Sequence, residues 1–153
     1  AQGLVSYQAS GMRQNIYEQD GYQIYADCYN ASPDAMEATL SVLGGMAGEG
    51  RRFAVLGSML ELGDYAEEGH RRAGRAAAQY ADALYAYGPD AAAMVAGARE
   101  KGMEHAYAFD DQTALVAALR EDAKKGDALL FKGSRGMRME RALAMFLGEE
   151  VEA

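Results

Sequence analysis

Short apolar runs alternate with longer stretches of mixed character along most of the chain. The runs are four or five residues long, too short for a helix, and apolar throughout, as is typical of strands covered on both faces. These predicted strands are residues 53–56, 83–87, 106–109 and 128–131. The stretches between them repeat apolar residues at helical spacing, as with Met36, Leu40 and Leu43. Strands that alternate with helices predict a mostly parallel, Rossmann-like sheet with helices on both faces.

The first part of the chain predicts a β-hairpin. Residues 12–18 and 22–27 alternate in character, and they flank Asp20 and Gly21. An Asp-Gly pair supplies the positive φ values that a tight turn needs. The predicted fold class is therefore α/β, with an N-terminal hairpin ahead of the parallel strands.

Capping residues and prolines mark the predicted helix starts. Proline is favoured in the first turn because its missing N–H would be unpaired there in any case. The predicted starts are Ser32 with Pro33, Asp64 with Glu67, Pro89 for a helix around residues 91–99, and Asp111. The helix after Asp64 is expected to reach about Tyr80, although Gly69 and Gly74 inside it each cost roughly 1 kcal/mol relative to alanine.

Size and charge narrow the class of protein. A chain of 153 residues predicts one domain, residues 1–153, and 50% hydrophobic with 25% charged residues is ordinary globular composition. Fifteen Lys and Arg against 23 Asp and Glu leave a formal charge of −8. Because such a surface repels phosphate backbones and anionic lipid, neither nucleic acid nor membrane is an expected partner.

Targeting segments and metal-ligand spacings are not recognised in the sequence. No apolar run approaches 18 residues, and the first residues resemble no signal peptide. The lone Cys28 cannot form an internal disulfide, so a reducing, cytoplasmic setting is expected. His70 and His105 lack a zinc-like spacing, and no metal site is predicted. Because the chain starts with Ala1, we expect it to be part of a longer protein.

Candidate chemistry follows from the predicted topology. Ligands of open α/β sheets bind at the carboxyl ends of the parallel strands, and three polar segments fall there. Those segments are residues 27–32, 57–63 and 132–136. Lys132, Ser134 and Arg135 precede a helix and could hold an anion, or they could be solvated in a glycine-rich connection, and the residues alone favour neither. The order Lys-Gly-Ser is not that of a P-loop, which the chain lacks.

The segment after the hairpin has the same ambiguity. Asp27 and Asn30 could bind ribose hydroxyls and a base edge, but satisfying turn N–H groups is the more common role of such residues. Cys28 between them is expected to be a small buried residue and not a nucleophile.

These segments resemble the C-terminal domain of the Mur ligases, in particular the ligases that add D-alanyl-D-alanine. The order and spacing of the motifs agree over nearly the whole chain. The matching segments are Asp27-Cys28-Tyr29-Asn30-Ala31-Ser32-Pro33, Leu56-Gly57-Ser58-Met59-Leu60-Glu61-Leu62-Gly63, His70, Lys132-Gly133-Ser134-Arg135 and Met139-Glu140. Three positions depart from the family pattern: Ser58 replaces an acidic residue, Ser32 an asparagine, and Ala26 a second aspartate.

The resemblance implies a reaction. Mur ligases use ATP to phosphorylate a carboxylate on a UDP-linked muramyl peptide, and an incoming amine, here that of D-alanyl-D-alanine, attacks the acyl phosphate. This chain is similar to the third of three domains, which closes over the nucleotide and helps to place the amine. The missing P-loop agrees with that placement, and Mg²⁺ ligands are expected mainly in the absent central domain. The isolated chain is expected to be inactive.

The resemblance also implies residue roles. Arg13 would reach the phosphates of ATP, Asp27 its ribose and Asn30 its adenine. Lys132, Ser134 and Arg135 would hold the incoming dipeptide, with Lys132 and Arg135 as the catalytic cations that stabilise developing negative charge. The alternative is a non-catalytic α/β module that binds a nucleotide or anion at the same edge, or a scaffold with no ligand.

Overall fold

The computed structural model describes residues 15–29, 31–46 and 48–150. In this part of the chain six strands form one sheet with the order β1-β2-β6-β3-β4-β5. The strands are β1 (Asn15–Gln19), β2 (Tyr22–Asp27), β3 (Arg52–Gly57), β4 (Ala83–Tyr87), β5 (Ala106–Phe109) and β6 (Ala128–Lys132). Only β1 runs antiparallel, in a hairpin with β2, and the other neighbouring pairs are parallel. The predicted hairpin and mostly parallel sheet are confirmed.

Helices cover both faces of the sheet, as predicted. They are α1 (Pro33–Gly44), α2 (Ala66–Tyr80), α3 (Ala91–Glu100), α4 (Gln112–Asp122) and α5 (Met139–Phe146). Leu40 of α1 and Met94 of α3 belong to one apolar core, and Leu115 of α4 and Leu143 of α5 belong to the other. Because side chains alternate across a strand, the middle strand β6 contributes Leu130 to the first core and its neighbours to the second.

Two of the predicted helix starts are confirmed by their capping bonds. Ser32 Oγ accepts the N–H of Ala35 at 3.2 Å, with Pro33 as the first residue of α1. A carboxylate oxygen of Asp111 accepts the N–H of Thr113 at 2.9 Å at the start of α4.

The other two predicted starts need correction. Asp64 lies in a short 3-10 helix (Gly63–Tyr65), and α2 begins after it at Ala66 without a side-chain cap. Pro89 lies outside α3, whose N-cap is Asp90. In both places the chain makes an extra turn at the strand end before the helix begins.

The strand β5 also differs from its prediction. Its apolar sequence predicted cover on both faces, yet Tyr107 and Ala108 are exposed. The strand order explains the difference, because β5 is the last strand at its edge of the sheet.

Two glycines are unfavourable for helix formation but allow two helices to pack closely. A Cβ on Gly74 would lie 1.9 Å from the carbonyl oxygen of Met94, and one on Gly97 would lie 2.1 Å from that of Arg71. Helices α2 and α3 therefore touch backbone to backbone, and only glycine fits at these two positions.

The order of connections creates a crevice at one edge of the sheet. The chain leaves β2 and β3 toward α1 and α2 on one face, but it leaves β6, which lies between them, toward α5 on the other face. Where neighbouring strands diverge in this way, their carboxyl ends leave room for a ligand. None of the helices in the described ranges has the length and apolar character that crossing a bilayer requires.

Candidate functional site

A crevice of about 420 Å³ opens at the carboxyl ends of β2, β3 and β6. We call it the edge crevice. It is lined by Tyr29, Ala31, Leu60, Glu61, Ser134, Arg135 and Gly136. Its volume is within the usual range for small-molecule sites. Three segments that are far apart in the sequence thus meet in one place, as the topology predicted.

Ser134 joins the two walls of the edge crevice. Its Oγ accepts the N–H of Leu60 at 2.8 Å, and its own N–H donates to the carbonyl oxygen of Ser58 at 3.2 Å. The walls also approach closely below Ser134, because a Cβ on Gly133 would lie only 3.0 Å from the Cα of Gly57. Glycine at position 133 therefore allows the loops after β3 and β6 to sit side by side.

His70 anchors the wall that follows β3. The imidazole is fully buried, its Nε2 accepts the N–H of Met59 at 2.8 Å, and its Nδ1 lies 2.7 Å from the carbonyl oxygen of Ala66. Since Nε2 accepts, Nδ1 carries the hydrogen and donates to Ala66. His70 therefore holds the loop that presents Leu60 and Glu61.

Gln112 anchors the opposite wall. Its Nε2 donates to the carbonyl oxygens of Met137 and Arg138, both at 3.0 Å, and its Oε1 is buried without a partner among the described residues. Arg138 has a left-handed backbone with φ 54°, an uncommon conformation for a residue other than glycine. This amide fixes the junction between the 3-10 helix Arg135–Met137 and α5, and with it the position of Arg135.

Asp27 and Lys132 form a buried ion pair where their strands lead into the edge crevice. They are register partners on β2 and β6, and Lys132 Nζ lies 2.6 Å from Asp27 Oδ2. Only 1% of the Lys132 surface and 5% of the Asp27 surface are exposed. In this arrangement the ammonium group bonds to protein, and its direct contact with a dipeptide stays a prediction that requires the pair to open.

Arg135 remains accessible on the rim. Its guanidinium carbon lies 5.5 Å from the centre of the Tyr29 ring, within the range of a cation–π contact. This contact brings the first and last motifs of the chain together. An exposed guanidinium oriented by an aromatic ring can bind a carboxylate or phosphate through two parallel hydrogen bonds.

Cys28 is the small buried residue that the sequence predicted. It is 3% exposed, and its Sγ lies 3.5 Å from the carbonyl oxygen of Phe131. Burial, with the nearby carboxylates of Glu140 and Asp27, raises the pKa of the thiol to about 12. A thiol that stays protonated at neutral pH is a poor nucleophile.

Ser58, one of the three departures from the family motif, has a structural role here. It is fully buried, and its Oγ accepts the N–H of Asp90 at 3.1 Å and donates to the carbonyl oxygen of Tyr87 at 3.3 Å. The hydroxyl therefore ties the loop after β3 to the loop after β4.

The predicted site residues fall into three groups. Ser134 and Arg135 line the edge crevice, Asp27 and Lys132 lie buried at the last residues of β2 and β6 without lining it, and Arg13 and Asn30 lie outside the described residues. The sequence-based prediction assigned no role to Tyr29, Glu61 or Gln112. Tyr29 and Glu61 belong to the quoted motifs, but no local pattern marks Gln112. Its hydrogen bonds run from the start of α4 to the residues just before α5.

The described residues offer no magnesium site of their own. In residues 15–29, 31–46 and 48–150 no three His, Cys, Asp or Glu side chains converge in a way that could hold a metal ion. The buried carboxylate of Asp27 is bonded to a lysine.

Comparisons with known proteins place these motifs in context. The family model described as "Mur ligase, glutamate ligase domain" matches residues 12–135. The UDP-N-acetylmuramoyl-tripeptide–D-alanyl-D-alanine ligase of Bacillus subtilis is 36% identical over 143 residues, which are 92% of this chain and 31% of that protein. The enzyme of the same name from Treponema pallidum is 39% identical over 119 residues, 75% of this chain and 25% of that protein.

Solved structures give the same picture. The crystal structure of MurF ligase from Thermotoga maritima in complex with ADP matches 94% of this chain and 32% of that chain, with a TM-score of 0.79 and 34% identity. MurF from Acinetobacter baumannii matches 93% of this chain and 32% of that chain, with a TM-score of 0.82 and 30% identity. This chain spans about a third of the length of the relatives it matches.

Proposed function

This chain belongs to the Mur ligase family, and from that premise we propose that residues 1–153 are the single C-terminal domain of a ligase acting in peptidoglycan precursor synthesis. The ligase would use ATP to add D-alanyl-D-alanine to a UDP-muramyl tripeptide in the cytoplasm. The observation that carries the proposal is the edge crevice, where Ser134 joins the two motif loops and Arg135 stays exposed. The relatives that bear this activity in their names support it.

The proposed reaction has two steps. The γ-phosphoryl group of ATP passes to the peptide carboxylate and ADP leaves, which gives an acyl phosphate. The amine nitrogen of the dipeptide then attacks the acyl carbon, the new C–N bond forms, phosphate leaves and the nitrogen loses a proton. The P-loop would come from the rest of the ligase, because its motif is absent from this sequence, and the site for the UDP part would come from there too.

We propose that this domain serves the nucleotide from its first motif. Asp27 would accept hydrogen bonds from the ribose, held in place by Lys132 at 2.6 Å, while Asn30 would approach the adenine and Arg13 the phosphates. The structure of a relative that binds ADP supports a nucleotide role for a ligase of this kind. Closing this edge over ATP would exclude water from the acyl phosphate.

We propose that the last motif serves the dipeptide. Arg135 can bind its carboxylate in the bidentate manner, and the Ser134 hydroxyl, which accepts from Leu60, still has its hydrogen to donate. Lys132 adds positive charge beside them. Cations oriented before the reaction stabilise negative charge that develops during acyl transfer, at little cost in reorganisation.

A chimera tests this function. In it, this chain replaces the matching third of the Bacillus subtilis ligase, and phosphate release is measured with ATP and UDP-muramyl tripeptide, with and without D-alanyl-D-alanine. We expect dipeptide-dependent phosphate release, no release by the isolated chain, and a dipeptide KM raised at least about tenfold by Arg135→Ala, the effect of one lost charge-assisted contact.

The opposite results would reject the proposal. A folded chimera without dipeptide-dependent turnover would mean that this domain does not serve the ligase. If the isolated chain then bound ATP saturably, the nucleotide-binding module would replace the ligase domain as the function.

A further inference from the structure

The edge crevice carries both signs of charge. Arg135 lines one wall and Glu61 lines the other, which follows β3. The Glu61 side chain is exposed and has no ion pair or hydrogen bond with another described residue. The described acidic groups that stabilise the fold, such as Asp27 and Asp122, are instead bonded to cations. Within the described part of the chain, the charge of Glu61 is therefore not used to stabilise the fold.

The backbone at Glu61 is strained. Its φ is 67°, and only two other non-glycine residues in the described ranges, Asp20 and Arg138, have positive values. A left-handed conformation is unfavourable for a residue with a side chain, and aspartate or asparagine tolerates it better than glutamate. Such strain persists where the surroundings impose it, commonly at functional sites.

The surroundings impose this conformation from the residues just before it. The N–H of Met59 is bonded to His70 and the N–H of Leu60 is bonded to Ser134, at 2.8 Å in both cases. These two bonds pull the loop against both anchored walls. The strained turn that follows places Glu61 on the lining of the edge crevice.

We propose that Glu61 binds the ammonium end of a zwitterionic ligand whose carboxylate is bound by Arg135. An amino acid or short peptide with free termini satisfies both charges of the crevice at once, whereas a simple anion would leave Glu61 unpaired and repelled. The proposal rests on the proposed function, in which that ligand is the incoming dipeptide. Glu61 would then be the residue that orients the amine, and the crevice would discriminate against blocked N-termini.

Glu61→Gln tests the proposal because it keeps the shape and removes the charge. The control is Glu104→Gln, which removes an exposed carboxylate from the loop between α3 and β5, at the opposite edge of the sheet. In the chimera we expect Glu61→Gln to raise the KM for D-alanyl-D-alanine about tenfold, the loss of one charge-assisted bond, with the KM for ATP unchanged. Glu104→Gln should change neither.

A blocked dipeptide isolates the ammonium contact. N-acetyl-D-alanyl-D-alanine keeps the carboxylate but has no charged amine, so we expect its inhibition constant to be the same in wild type and Glu61→Gln. If Glu61→Gln, like Glu104→Gln, left the KM for D-alanyl-D-alanine unchanged, Glu61 would not bind the amine. The same conclusion would follow if Glu61→Gln weakened the binding of the blocked dipeptide as much as that of the free dipeptide. The proposed ligase function would survive that result.

A binding measurement on the 153-residue chain keeps the two proposals separate. We expect millimolar D-alanyl-D-alanine to shift the amide resonances of Leu60 and Ser134, and we expect Glu61→Gln to abolish the shift. No shift in the wild-type chain together with an unchanged KM in the chimera would overturn the proposal. If the chimera were inactive, a shift that depends on Glu61 would still support the zwitterion site, and a shift that does not would reject it.

Discussion

The two ends of the same sheet use their polar residues differently. At the amino end, Arg51 Nη2 bonds to the Asp122 carboxylate at 3.0 Å, and Tyr85 donates to the same carboxylate at 2.9 Å. Both oxygens of Asp127 accept backbone N–H groups, from Arg51 and Lys124, at 2.8 Å. All of these hydrogen bonds join groups of the protein itself.

The carboxyl end leaves charges available. Glu61 and Arg135 line the edge crevice, whereas Asp27 and Lys132, buried at the ends of β2 and β6, are paired with each other. The difference follows from topology. At the amino ends of the strands, the helices and loops that lead back into the sheet cover the polar groups. At the carboxyl ends, the chain leaves β2 and β3 toward one face of the sheet and β6 toward the other, which keeps that end open. The cluster of Arg51, Tyr85, Asp122 and Asp127 at the amino end therefore stabilises the fold, and Glu61 and Arg135 at the carboxyl rim are available to bind.

The largest effect should come from the buried Asp27–Lys132 pair at the carboxyl end of the sheet. Lys132→Met leaves Asp27 as an unpaired buried charge, so we expect the free energy of unfolding to fall by about 3–5 kcal/mol. Urea denaturation of the chain, followed by circular dichroism, measures it. Adding Asp27→Asn removes the stranded charge and should recover at least half of the loss. A loss under about 1 kcal/mol would show that this end has no structural ion pair.

An intermediate effect is expected at the amino end. Tyr85→Phe removes a hydrogen bond to a carboxylate and should cost about 1.5 kcal/mol at neutral pH. The control is Tyr87→Phe on the same strand, whose hydroxyl makes no bond with another described residue and which should cost little. If Tyr85→Phe and Tyr87→Phe lowered the free energy of unfolding equally, the Tyr85–Asp122 bond would not stabilise the fold, and the contrast between the two ends of the sheet would be wrong.

The pH dependence of that cost follows from two pKa shifts. Burial opposes ionisation of Asp122, but the hydrogen bond from Tyr85 and the Arg51 guanidinium outweigh it and hold the pKa of Asp122 below its ordinary value. Burial, then the bond to Asp122, raises the pKa of Tyr85. The Asp122 contribution to stability is therefore present above about pH 4 and lost as pH falls through the lower folded-state pKa. The Tyr85 contribution is present below about pH 10 and is lost as pH rises through the raised folded-state pKa, so the stability advantage of the wild type over Tyr85→Phe should be greatest near neutral pH and should shrink toward both extremes.

The smallest effect on stability is expected at the rim. Arg135→Ala removes an exposed side chain and its contact with Tyr29, so the free energy of unfolding should change by under about 1 kcal/mol. The same urea titration measures it, with Tyr85→Phe as the reference. A loss larger than that of Tyr85→Phe would mean that the rim is structural and would contradict the division between the two ends.

Local patterns in the sequence predicted most of the fold. The strands were placed by short apolar runs, and α1 and α4 by their caps at Ser32 and Asp111. The helix expected around residues 91–99 is observed as α3 (Ala91–Glu100), but Pro89 lies in the turn before it and not in its first turn, because no periodic pattern marks that turn. The exposure of β5 was missed because apolar content does not distinguish an edge strand from a central one.

The candidate site was predicted less completely. The topology rule placed Asp27, Ser134 and Arg135 at one edge, which is confirmed as a position, and their roles stay predictions. Gln112 was missed because its two hydrogen bonds reach residues 25 and 26 positions away, on another element. A glutamine at the start of a helix is common and signals nothing by itself.

The sequence by itself determined the order of strands and helices, the α/β class, the hairpin and the edge at which the motifs meet, because propensity, capping and periodicity act between residues close in the chain. The tertiary structure alone decided which charged side chains are buried in ion pairs and which stay exposed. Lys132 and Arg135 are three positions apart, yet one is 1% exposed and paired with Asp27 while the other lies on the rim. That difference arises from strand neighbours and loop anchors contributed by distant segments, and burial of a charge depends on those neighbours.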